Sequence, residues 1–137
     1  MNVEEAYSKA LERLKPQYGK IFQTGELLIR EGEKDPHVFF IVSGLVEIFL
    51  GEGDKRDVLW TLEAGQILGE MSLLDNLPRT ASARAMNDCE VVMLDAETFY
   101  HLISRYPSLS LKVIQLMGKR MRKMDAQYKV RTGYRRK

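Results

Sequence analysis

Over the first sixteen residues the apolar positions Val3, Ala6, Tyr7, Ala10, Leu11 and Leu14 recur at intervals of three or four or fall side by side. That is the repeat of a helix with one buried face, and Pro16 is predicted to end it. From Tyr18 to Asp95 the pattern changes to short runs of Val, Ile, Phe and Leu broken by Gly, Pro, Asn and Asp. These runs predict strands over 26–29, 37–43, 45–50, 58–62, 80–85 and 90–94, with Gly51-Glu52-Gly53-Asp54 as a hairpin turn. Short strands at regular spacing argue for a sandwich or a barrel. Helical spacing returns over 96–106, and Pro107, well placed at a first helical position, opens a last helix predicted to reach about Lys129.

That last helix carries two apolar stripes. Ile114, Met117, Met121, Met124 and Tyr128 follow the 3, 4, 3, 4 spacing of a coiled-coil seam, whereas Leu109, Val113 and Leu116 can pack back on the strands. Two stripes imply two partners, a second helix and the barrel. The alternative is that both bury against the same domain. Methionine is adaptable, so a Met-rich seam suits contacts that rearrange.

A chain of 137 residues, 45% hydrophobic and 29% charged, fits one globular domain with a real core. No apolar run approaches the ~20 residues that span a bilayer, and the start, Met1-Asn2-Val3-Glu4-Glu5, does not resemble a signal peptide. A cytoplasmic protein is expected. Cys89 is the sole cysteine, which excludes an internal disulfide and a cysteine zinc cluster and suggests a buried structural thiol. The net charge of +2 hides an asymmetry: residues 1–111 hold 11 Lys or Arg against 18 Asp or Glu, and residues 112–137 hold 10 against 1. The basic tail can attract nucleic acid, an acidic membrane surface or the acidic body of a partner, or simply be a solvated helix end.

The candidate chemistry lies between Leu68 and Ala85. A Gly-Glu turn (Gly69, Glu70), one short helical turn (Ser72 to Asp75) and Arg79 followed by Thr80 and Ala81 on a strand form a cradle for an anionic sugar. Free backbone N–H groups of the turn suit phosphate oxygens, and the Arg79 guanidinium offers a fork of donors. The Glu70 carboxylate accepts sugar hydroxyls, and Gly69 lets the backbone approach closely. A buried Glu70–Arg79 ion pair with no ligand is the alternative. No nucleotide-binding P-loop, serine elbow or Cys/His nucleophile pair occurs, and the two histidines, His37 and His101, are too few and too scattered for a metal. Neither metal nor cofactor is expected, no catalytic residue is assigned, and Trp60 reads as a core residue.

The pattern apolar-Gly-Glu-x-small-apolar, then Arg-Thr-Ala five residues on, resembles the phosphate-binding cassette of the cyclic nucleotide-binding domain family, found in catabolite activator proteins, protein kinase A regulatory subunits and cyclic-nucleotide-gated channels. Residues 28–44 are similar to the family's other signature, departing from it at Asp35, which is expected in a turn away from the cassette. The resemblance runs from about Tyr18 to Asp125. It implies a mainly β fold with flanking α, a jelly-roll-like β-roll (a double-stranded β-helix) with one N-terminal and two C-terminal helices. One domain, 1–137, is expected: helix 1–16, β-roll 18–95 with the cassette at 68–85, C-terminal helices 96–129 and basic tail 130–137. It further implies a non-catalytic sensor of cyclic AMP or cyclic GMP, with Glu70 at the ribose, Arg79 at the phosphate, and Gly69, Met71, Ser72, Thr80 and Ala81 completing the cradle. By the same resemblance the last helix pairs with its twin in a homodimer through Ile114, Met117, Met121, Met124 and Tyr128, lays Met124, Asp125 and Tyr128 over the base, and moves on binding to relay the signal. Seven residues after Val130 are too few for a helix-turn-helix domain, so no sequence-specific DNA binding is expected of this chain. A regulator fragment without its DNA-binding domain and a ligand-free interaction module are the rival readings, and the downstream effector is not written in the sequence.

Overall fold

Asn2 starts the first helix by accepting the backbone N–H of Glu5 at 2.8 Å, and the acidic Glu4 and Glu5 sit in its positive first turn. The structure is a computed structural model and describes residues 2–133. Helix α1 (Val3–Tyr18) runs past Pro16 rather than stopping there. Proline removes one backbone hydrogen bond, but so near the end little helix is left to break. Tyr18 and Leu14 pack against the helical core, and the Gly19 N–H closes the last turn on the Lys15 carbonyl.

Eight strands follow: β1 (Gly19–Phe22), β2 (Leu27–Ile29), β3 (His37–Ser43), β4 (Val46–Leu50), β5 (Asp57–Leu62), β6 (Ile67–Leu68), β7 (Ser82–Ala85) and β8 (Cys89–Asp95). The expected runs all form strands within two residues of their predicted bounds. Strands β1 and β6 were not signalled, because Gly19-Lys20-Ile21-Phe22 holds only two adjacent apolar residues and β6 is two residues long. A short helix, α2 (Glu70–Asp75), interrupts the strands, and α3 (Ala96–Arg105) and α4 (Pro107–Thr132) end the described chain. The tail residues 134–137 lie outside the described residues.

The strands build two antiparallel sheets, ordered β1-β8-β3-β6 and β2-β7-β4-β5. This is the mainly β roll with flanking helices that the sequence led us to expect. Between the sheets lies one core, with Phe22, Ile29, Phe39, Ile41, Val46, Ile48 and Val91. A second core, with Tyr7, Leu11, Val38, Phe40, Leu94, Phe99 and Leu109, joins the outer face of the first sheet to α1, α3 and α4. Strand β3 serves both, so Val38, Phe39, Phe40 and Ile41 are all fully buried and its sequence is a continuous apolar run instead of an alternating one. Cys89 is buried at the start of β8, its thiol bonded to the Leu45 and Asn87 carbonyls.

Two contacts fix α4 to the body. Lys112 is buried, donates to Glu4 Oε1 at 2.7 Å and lies 5.3 Å from the centre of the Tyr7 ring, which ties α4 to α1. Further along, α4 crosses the open end of the roll.

A candidate ligand site at the open end of the roll

The two sequence runs singled out above meet at Arg79. Its backbone is clamped to the turn before β3, with Gly32 N–H donating to the Arg79 carbonyl and Arg79 N–H to the Glu33 carbonyl, each at 2.9 Å. Its side chain is almost fully buried and donates to the Gly69 carbonyl at 2.7 Å and to the His37 carbonyl. Asp35 Oδ2 stands 3.5 Å from Arg79 Nη2, while its other oxygen holds His37 Nδ1 at 2.9 Å. This corrects the expectation that Asp35 lies away from the cassette: the backbone clamp folds that turn against Arg79 and brings the carboxylate with it.

Gly69 makes the bend from β6 into α2 at a φ of 93°, a left-handed conformation that side chains disfavour. Any Cβ there would fall 2.6 Å from Arg79 Nη1 and 3.0 Å from the His37 carbonyl oxygen, so glycine is required by space as well as by torsion. The bend aims Glu70 inward, where it is fully buried. Burial pushes the Glu70 carboxyl above the usual carboxylate range, against the opposing pull of the Arg120 guanidinium.

A cavity of about 460 Å³ opens here, lined by Gly69, Glu70, Met71, Ser72, Arg79, Thr80 and Ala81, by apolar side chains of both sheets including Ile48, Leu59 and Trp60, and by Arg120 and Met124 of α4. All seven expected cradle residues therefore share one space. Glu70 and Arg79 are not an ion pair with each other. Glu70 Oε1 is bonded to Arg120, whose guanidinium also donates to the Ile67 carbonyl. Among the described residues, two buried side-chain polar atoms have no partner: Glu70 Oε2 and Arg79 Nε. Orphaned groups of this kind are costly unless something arrives to meet them.

Arg120 is the residue that sequence reasoning missed. It sits among Lys119, Met121, Arg122 and Lys123, where it looks like one more solvated cation. Its signal was its place four residues beyond Leu116, on the stripe of Leu109, Val113 and Leu116 that turns toward the roll. Gln127, one step further, donates to the Leu59 carbonyl at 3.3 Å. Of the three residues expected over a base, Met124 lines the cavity, whereas Asp125 and Tyr128 are exposed and outside its lining. In the seam, Ile114, Met121, Met124 and Tyr128 are exposed, and Met117 alone is partly packed against the helical core. Trp60 is half-buried against the inner core and also walls the cavity. Among the described residues no three His, Cys, Asp or Glu side chains converge as metal ligands. No helix among them is long and apolar enough to cross a membrane.

A family model described as "Cyclic nucleotide-binding domain" matches residues 20–106. The chain is 36% identical over 124 residues to the cyclic AMP receptor protein of Thermus thermophilus, covering 90% of this chain and 54% of that protein. It is 33% identical over 105 residues to human cGMP-dependent protein kinase 2, covering 69% of this chain and 13% of the kinase. Among solved structures, the Thermus thermophilus catabolite activator protein superposes with a TM-score of 0.73 at 26% identity, over 95% of this chain and 59% of that one. The chain thus spans about half or less of the curated relatives' lengths.

Proposed function

Because the chain belongs to the cyclic nucleotide-binding domain family, we propose that its cavity binds cyclic AMP or cyclic GMP as the input of a non-catalytic sensor. Glu70 accepts the ribose 2′-hydroxyl and Arg79 faces the cyclic phosphate, with Gly69, Met71, Ser72, Thr80 and Ala81 closing the cradle. The observation that carries this reading is the pair of buried, unpartnered atoms, Glu70 Oε2 and Arg79 Nε, an acceptor and a donor that belong to two residues lining the same cavity. A ribose phosphate supplies the complement of each. Arg120 holds the other oxygen of the same carboxylate, so an occupant shares Glu70 with α4 and makes that helix the moving output. The exposed seam of α4 pairs with the same seam of a second copy.

Calorimetry with cyclic AMP, cyclic GMP and 5′-AMP tests the assignment. One of the cyclic nucleotides is expected to bind and 5′-AMP to bind more weakly. Arg79→Ala should weaken binding about 10- to 100-fold or more, the worth of one charge-assisted contact at roughly 1.5–3 kcal/mol. Unchanged affinity in that variant, or no binding by the parent protein, discards the site.

A further inference from the structure

We infer that the helical side of the molecule carries a second ligand site, a hollow between α1, α3 and the start of α4 that takes a free straight-chain carboxylic acid of about eight carbons. It shares no lining residue with the cavity at Arg79 and stands independently of the nucleotide reading.

Helix α1 sends Tyr7 and Leu11 into the helical core. The adjacent stripe is Ala6, Ala10 and Leu14, at steps of four, and its two alanines are too short to close the space beside it. Leu102 of α3 and Leu109 of α4 complete the apolar wall of a hollow of about 220 Å³. At the ~30 Å³ that a water molecule occupies in the liquid, there is room for roughly seven groups of that size. A run of about seven carbons is matched to it, with the carboxylate left at the rim.

The rim is cationic. Lys9 and Arg13, one turn apart on α1, line the hollow and are exposed, and Arg105 stands 5.8 Å from the ring centre of Tyr106, a further lining residue. Glu4 holds Lys112 and Glu12 holds Lys15, and among the described residues Lys9, Arg13 and Arg105 have no ion pair. Residues 1–111 hold 18 Asp or Glu against 11 Lys or Arg, so three unpaired cations around one apolar hollow run against the charge of their surroundings. An anionic amphiphile answers both features, its chain taking the hollow and its head the cations. The basic far half of α4 from a second copy would be repelled from the same rim, and a neutral apolar ligand would leave Lys9 and Arg13 without a counter-charge.

Calorimetry on the full chain with monomeric octanoate tests the site, with hexanoate, octanol and octylammonium as comparisons. Octanoate should bind one to one, more tightly than octanol or octylammonium, and about 15-fold more tightly than hexanoate, since each buried methylene is worth about fourfold. Ala10→Leu fills the hollow and should abolish binding. Arg13→Glu changes an exposed position that needs no repacking, and should weaken binding about 3- to 10-fold. The double variant Lys9→Glu with Arg13→Glu should turn the preference to octylammonium. Octanol binding as tightly as octanoate, or octanoate binding that ignores either single substitution, overturns the inference. A chain that ignores monomeric octanoate but adsorbs to phosphatidylglycerol vesicles would assign these cations to a membrane surface, and that too overturns it.

Discussion

Glu70 stands where two demands conflict. A carboxylate that is to accept a sugar hydroxyl must be ionised, yet it sits in a fully buried position that favours the neutral acid, and Arg120 is the cation that holds the balance. A folded-state value raised by burial means that the native protein binds this proton more tightly than the unfolded chain does. The resulting stabilisation is complete below the ordinary glutamate value of about 4.3 and is lost as pH rises through the raised native value. Denaturation of the ligand-free protein between pH 4 and pH 7 should therefore show the parent losing stability relative to Glu70→Gln as pH increases. Parallel profiles for the two would mean that Glu70 is ionised at no cost. Gly69, Glu70 and Arg79 were legible in the sequence because a turn glycine, a lone acid and a lone arginine stood at fixed spacing in an apolar text. Arg120 and Asp35 were not, since nothing local separates a buried arginine from its four cationic or apolar neighbours, and only the fold brings residue 35 to residue 79.

At the scale of elements, α4 is unevenly held. Its first half buries Leu109, Lys112, Val113 and Leu116, whereas beyond Gly118 the hydrogen bonds to the roll come from Arg120 and Gln127. A void of about 110 Å³, lined by Trp60, Leu116, Arg120 and Met124, lies beneath the crossing. Gly118 falls at the junction, and a mid-helix glycine weakens a helix by roughly 0.5–1 kcal/mol against alanine. The far half is thus the less firmly held part of the helix, and the proposed relay would act there. Spin labels on the exposed position 126, introduced as Ala126→Cys, should change their separation across the dimer when cyclic nucleotide is added. Distances that ignore the ligand would make α4 a packed strut and remove the relay. The two stripes of this helix were visible as periodicity. Which of them would be left bare was not, because that depends on how far the roll extends beneath it.

At the scale of the molecule, the eight strands and four α-helices of the described residues divide their apolar side chains between two cores that meet in one strand. Six strands could be read from apolar runs and turn residues, whereas β1 and β6 owe their existence to the sheet that receives them, as pairs to β8 and β3. The division of charge has a molecular counterpart too: an acidic roll carries a basic helix across its open end, and Arg120 is the cation of that helix which reaches the buried acid. A strand buried on both faces also decides how the protein comes apart. Phe39 and Ile41 cannot be bared without dissolving the space between the sheets, nor Val38 and Phe40 without lifting the helices. The amide hydrogens of β3 should exchange with deuterium only through global opening, at rates that track denaturant stability, while those beyond Gly118 exchange through small local excursions. Protection in β3 well below the global value would mean that the roll and its helices melt as separate units. The loosely held helix end can thus open by itself while β3, shared by both cores, keeps its protons.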